Sequence, residues 1–99
     1  MKLGWFIGQF TPVAFKTDAC EVAIKKYKKS DYDESHMHKI ATEITAIIDG
    51  VVEMNGVKYS SGDIIVIEPN DNTDFLAITD STTVVVKIPG VLNDKYIGL

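Results

Sequence analysis

The chain contains no arginine; all ten of its basic residues are lysines. Any anionic group it binds must therefore be held by lysine, backbone amides or a metal, not by a bidentate guanidinium fork. Cysteine is nearly absent as well. Cys20 stands alone, which excludes an intrachain disulfide and fits a reducing compartment. Period-two alternation groups Cys20 with Val22 and Ile24, as a small buried residue rather than a nucleophile. No apolar run approaches the roughly 18 residues needed to span a bilayer. The stretch Met1–Gly8 lacks the long apolar centre and small-residue cleavage site of a secretory signal. The expectation is a cytoplasmic protein with no membrane partner.

Clustered positive charge is missing too. Net charge is −4, and the one basic run, Lys25-Lys26-Tyr27-Lys28-Lys29, is followed at once by Asp31, Asp33 and Glu34. No nucleic-acid partner is expected. The lysines read instead as the outer face of an edge strand, where they discourage edge-to-edge pairing. No window sustains a 3.6-residue apolar period with caps; at most Asn93–Tyr96 forms a helical turn. There is no phosphate-binding loop, dinucleotide fingerprint, Ser-His-Asp set or Cys-His pair, so a nucleophilic mechanism has no candidate residues.

What is present is strand. Val, Ile, Thr, Tyr and Phe recur in runs of five to eight between turn clusters, in a chain of 99 residues that is 45% hydrophobic and 24% charged. The runs predict strands at Trp5–Phe10, Cys20–Lys28, Ser35–Lys39, Thr42–Ile48, Val51–Met54, Val57–Tyr59, Ile64–Glu68, Asp74–Ile78 and Thr82–Ile88. Asn55-Gly56 between two of them is a strong type I′ hairpin signal. Many short strands at regular spacing predict an all-β sandwich or barrel. The continuous apolar runs Ile64–Ile67 and Val84–Val86 predict strands covered on both faces, the outer one by the N-terminal segment, the C-terminal tail or a second subunit.

The two histidines of the chain lie in His36-Met37-His38, with Glu43 five residues on and Gly50 closing the stretch. A strand sends residues two apart to the same face, so both imidazoles leave one side. Glu43 is far enough along to follow a tight turn into the next strand. Two imidazoles and a carboxylate converging in this way suit a divalent metal.

This spacing resembles the first motif of the cupins. His36-x-His38-x4-Glu43-x6-Gly50 matches every interval after the motif's leading Gly, whose place is taken by Ser30. The second motif is matched in rhythm by residues 62–77, from Gly62 onward. Glu68 stands at its first Pro, Asn70 at its Gly, Thr73 at its His and Ala77 at its final Asn. The resemblance implies one cupin domain over residues 1–99, with motif 1 at about 36–50 and motif 2 at about 62–77. It also implies a strand arm at 1–15, a tail at 89–99, and an antiparallel β-barrel or jelly roll, the double-stranded β-helix.

His36, His38 and Glu43 then take the positions of three of the four usual metal ligands, and Thr73 replaces the fourth. Three arrangements stay open. The metal is held by the three alone, as in the two-histidine, one-carboxylate triad of non-haem iron; or Asp74 or Glu68 supplies a fourth ligand; or the site is metal-free. Alternation from Glu43 adds Thr45 and Ile47 to the barrel interior, and Thr73 and Phe75 face them. Tyr27 or Tyr32 closes the mouth. Asp63 and Asp74 read as turn or surface residues.

The function expected is that of a small cupin with a divalent metal (iron, manganese, nickel or zinc) acting on or binding a small polar or carboxylated molecule. As an enzyme it would be of isomerase, lyase or dioxygenase type. The alternative is a metal-free binding or accessory module. Trp5–Phe10 is too apolar for solvent. It either adds a strand to its own barrel or crosses to a partner, and a homodimer is expected.

Overall fold

A computed structural model describes residues 4–97. Its strands are β1 (Trp5–Gly8), β2 (Phe15–Lys16), β3 (Glu21–Tyr27), β4 (Tyr32–His38), β5 (Thr42–Asp49) and β6 (Val51–Met54), followed by β7 (Val57–Ser60), β8 (Ile64–Ile67), β9 (Thr73–Ala77), β10 (Ser81–Ile88) and β11 (Lys95–Ile97). They form two sheets, ordered β2-β1-β3-β10-β5-β8 and β11-β4-β9-β6-β7. The all-β class expected from strand-forming runs and turn clusters holds throughout. β6 and β7 close on Asn55-Gly56, where both residues have positive φ, as a type I′ turn requires. No helix among the described residues is long and apolar enough to cross a membrane.

Two residues standing where the cupin motifs have glycine keep the backbone that glycine would provide. Ser30 has φ of 78° and Asn70 of 72°. Each is tied by its amide to the strand beside it. Ser30 N–H donates to the Ala77 carbonyl and Asn70 N–H to the His38 carbonyl, both at 2.7 Å. The second bond fixes the turn of the second motif to the end of β4, beside the first motif's histidine.

The apolar centre lies between the sheets. Ile47, Val52, Met54, Ile67, Phe75 and Ala77 form one buried cluster, with Tyr27, Tyr59 and Ile65 packed against it. Two expectations fail around it, and an alternative left open is decided. First, β3 is not an edge strand, because it pairs with β1 on one side and β10 on the other. Its inner face is Glu21, Ala23, Lys25 and Tyr27, so Val22 and Ile24 point outward and Cys20 is half-buried just before the strand. The inner face of β3 borders a polar cavity, which inverts the usual facing. Second, Asn93–Tyr96 makes no helical turn; Lys95–Ile97 pairs along β4 as an edge strand. Of the two placements open to the N-terminal segment, the first is the one found: β1 pairs with its own β3 and, in parallel, with β2, and so extends the chain's own sheet. Residues 1–3 of the expected arm lie outside the described residues.

The outer face of the larger sheet is apolar, and among the described residues nothing covers it. Two cross-strand rows run over four strands: Val22, Val86, Ile44 and Val66, then Ile24, Val84, Ala46 and Ile64. Ile64 is 68% exposed, Val66 55% and Ile24 48%. Among the described residues neither terminal segment supplies the cover. β1 and β2 extend the sheet sideways, and β11 belongs to the other sheet.

Candidate metal centre

The site starts from an irregularity in β4. Asp33 pairs with Phe75, but His36, not Ser35, pairs with Thr73, so β4 spends three residues where β9 spends two. A bulge of this kind shifts the facing of everything beyond it by one residue. Strict alternation from Asp33 would turn His36 outward. With the bulge, Asp33, His36 and His38 all line one cavity. Glu43 reaches the same space from the second position of β5, where it lies between Lys87 of β10 and Ile67 of β8.

The ligand atoms of His36, His38 and Glu43 all lie within 4.8 Å of one another. The two imidazoles stand edge to face, with ring centroids 5.5 Å apart. Nδ1 of His36 lies 3.1 Å from the Glu34 carbonyl oxygen. A carbonyl only accepts, so Nδ1 is the donor, and in the neutral ring this leaves Nε2 to face a metal. His38 is 5% exposed. Burial pulls its pKa down to about 4, and Lys87 and then His36 act in the same direction. At neutral pH the ring is uncharged and ready to donate. Glu43 is pushed the other way: burial raises its pKa, while His36 and Lys87 oppose the rise. A cation placed beside that carboxyl would favour its ionised form. The donor set, two imidazole nitrogens and one carboxyl oxygen, fits a divalent transition metal.

His38 gives a direct test. In metal-free protein its imidazole should titrate in NMR spectra with a midpoint near 4 instead of the usual 6.5. A folded pKa below the unfolded one means stability is full above pH 6.5 and lost as pH falls from 6.5 toward 4. The loss would be on the order of 3 kcal/mol if His38 acted alone. Glu43, with a raised folded pKa, acts in the opposite sense, so the net change is smaller.

The cavity has a volume of about 400 Å³. Of the expected interior residues, Tyr27, Thr45, Thr73 and Phe75 line it. Ile47 shares the inner face of β5 but sits in the apolar cluster. Tyr27 packs on Phe75 with centroids 4.4 Å apart, and burial followed by the field of Asp33 keeps its hydroxyl protonated. Tyr32 is exposed and does not border the cavity. Neither alternative fourth ligand joins the cluster. Glu68 is exposed away from the cavity, and Asp74 Oδ1 accepts the Asn55 amide at 2.7 Å in the hairpin. Asp63, as expected of a turn residue, accepts the Ser60 amide.

Sequence reasoning missed Lys25, Lys87 and Glu21, all on the cavity wall, and the tail residues 91–93 that lie across it. Reading β3 in the opposite phase, Glu21-x-Ala23-x-Lys25-x-Tyr27, would have found two of the three. The tail is held by Asp94, whose carboxylate accepts the amides of Lys39, Ile40 and Ala41 at 2.9–3.1 Å. Those three residues are the whole link between β4, which carries the histidines, and β5, which carries Glu43.

No protein-family model matches the sequence, and no curated protein matches it. Solved structures do. A protein with a double-stranded β-helix domain from Klebsiella pneumoniae aligns at 22% identity over 75% of this chain and 66% of its own, with a TM-score of 0.69. An RmlC-like cupin from Desulfovibrio desulfuricans aligns at 17% identity over 76% of each chain, with a TM-score of 0.69. The DMSP lyase DddQ of Ruegeria pomeroyi aligns at 18% identity over 95% of this chain, with a TM-score of 0.74. The chain spans just under two thirds of the Klebsiella protein and about half of the lyase. The fold is therefore that of the cupins, the double-stranded β-helix.

Proposed function

We propose that this cupin-fold protein holds a divalent metal on His36, His38 and Glu43 and acts on a small carboxylated or polar molecule in the adjoining cavity. The observation that carries the proposal is the convergence of three ligand atoms within 4.8 Å on the wall of a cavity of about 400 Å³. A metal bound there would supply Lewis acidity toward a substrate oxygen. The chain's own residues do the rest. His36 is oriented by Glu34, His38 is kept neutral, and Thr73 across from His36 leaves room where an imidazole would otherwise stand. Tyr27 offers a protonated hydroxyl as a hydrogen-bond donor, not a base. The cupin-fold lyase among the structural neighbours favours an enzyme of lyase type. Thr73 also favours a second reading, in which the same cavity binds a small molecule without metal. Elemental analysis of untagged protein purified without chelator separates the two. Near-stoichiometric metal per chain supports the first, and no metal after incubation with iron, manganese, nickel and zinc leaves the second.

We also propose that the protein is a homodimer joined through the outer face of the larger sheet. The two apolar rows carry no charge. With Ile48 and Ile88, each about half exposed, beside them they form one continuous apolar patch of the kind that marks an interface. Two apolar rows on a sheet face can pack against the same rows of a second copy about a two-fold axis. Light scattering should give twice the chain mass of 10.9 kDa, and Ile64→Lys should give the single-chain mass with its fold intact. A wild-type protein that stays monomeric at high micromolar concentration would rule this interface out.

A further inference from the structure

We infer that Lys25 and Thr83 form a carboxylate-binding subsite in the cavity, separate from the histidine–glutamate cluster. The molecule bound then carries a carboxylate at one end and a metal-binding oxygen at the other. Only the second half of that statement rests on the metal reading above.

β3 and β10 pair with Thr83 directly opposite Lys25, and both side chains line the cavity. Thr83 is fully buried, yet its Oγ1 has no hydrogen-bond partner. Buried hydroxyls are nearly always satisfied, so one aimed into a cavity points to a ligand that completes it. Lys25 is unusual in a second way. Burial lowers its pKa, while Asp33 and Glu43 act on it from beyond ion-pair distance. Lys87, its neighbour along the wall, is paired with Glu21 at 3.4 Å, the one ion pair among the described residues. Trp5 holds both ammonium groups. Lys25 Nζ is 5.3 Å from the ring centroid and Lys87 Nζ 5.7 Å. The ring occupies one side of the Lys25 ammonium and leaves its other N–H donors free.

An ammonium and a hydroxyl on paired strands, both lacking an acceptor, match the two oxygens of a carboxylate. With no arginine in the chain, lysine is the cation available for this role. Thr83 and Lys87 lie four positions apart on the same face of β10, and Lys87 pairs with Glu43, so the subsite is displaced along the cavity wall from the cluster. The subsite and the cluster therefore suit opposite ends of one small molecule. Asp33, on the same cavity wall, works against an anion there, so its charge tunes the affinity.

The test is calorimetric titration of Ni2+-loaded protein with succinate, glutarate and adipate, each against the monocarboxylate of equal length. One dicarboxylate should bind at least tenfold more tightly than its monocarboxylate. Lys25→Met, which keeps the aliphatic stem, should abolish that advantage. Thr83→Val should reduce it severalfold, and Asp33→Asn should increase it. The Ni2+ stoichiometry of the same samples reads the metal separately and should be unchanged in Lys25→Met. If Ni2+ is not retained, the metal reading fails alone. Thermal shifts of metal-free wild type and Lys25→Met with the same acids then decide the subsite. Equal responses of the two proteins, or no response to any of the acids, would overturn it.

Discussion

Changing His36 and His38 together to Ala should take bound metal from near one equivalent per chain to none. The reason is the geometry of the cluster. Each imidazole supplies one of three ligand atoms held within 4.8 Å, and the remaining carboxyl of Glu43 is raised in pKa by burial. Alone it is a weak, largely desolvated ligand. His38 contributes more to the pocket than His36 does, since it is buried and kept neutral, whereas His36 is half-buried at the bulge. Removing His38 leaves a hole of imidazole size beside Lys87 and Lys95. A folded double variant with no metal, and wild type with metal, is the expected pair of elemental analyses. Metal retained at full stoichiometry by the folded variant would mean that other residues hold it.

The second large effect belongs to Asp94. Asp94→Ala should lower stability by about 3–4 kcal/mol, since three amides lose a charged acceptor and at least one of them is buried. Burial pushes the Asp94 carboxyl up, but the amides of Ala41, Ile40 and Lys39 outweigh it and hold its pKa below the ordinary aspartate value. A folded pKa below the unfolded one contributes stability above about pH 4, lost as pH falls through the folded value. The same variant should weaken metal binding, because the three amides belong to the link that sets His38 against Glu43. Asp94→Asn retains one acceptor oxygen and should fall between Ala and wild type in both measurements. Chemical denaturation and metal titration of the three proteins give the comparison. Full stability in Asp94→Ala would show that the link is held by β11 pairing alone.

Nine of the eleven strands among the described residues were legible because strand-forming residues and turn residues alternate cleanly there; the short β2 and β11 were not. Asn55-Gly56 fixed a hairpin, and His-x-His with Glu43 marked the cluster, because side-chain alternation in strands is local. The facing of β3 was not legible. An apolar phase of Val22 and Ile24 and a charged phase of Glu21 and Lys25 are equally consistent with a strand, and the usual preference for apolar residues inside chose the wrong one. Only the position of the cavity against β3 decides it. The helical turn expected at Asn93–Tyr96 failed for a related reason. A short polar segment has no strong local preference, and a free edge of β4 was there to pair with it.

By itself the sequence determined the all-β class, the order of the strands, the hairpin at Asn55-Gly56 and the spacing of the two histidines and Glu43. These follow from propensities and periodicities that act within a few residues. Tertiary structure decided which face of each strand turned inward, and so brought Lys25, Thr83 and Lys87 to the cavity and left Ile24, Ile64 and Val66 outside. It also decided that His36 shares a face with Asp33, since a bulge is measured only against the partner strand β9. Inside and outside are properties of the closed barrel. A single strand carries both patterns and cannot choose between them until its neighbours are in place.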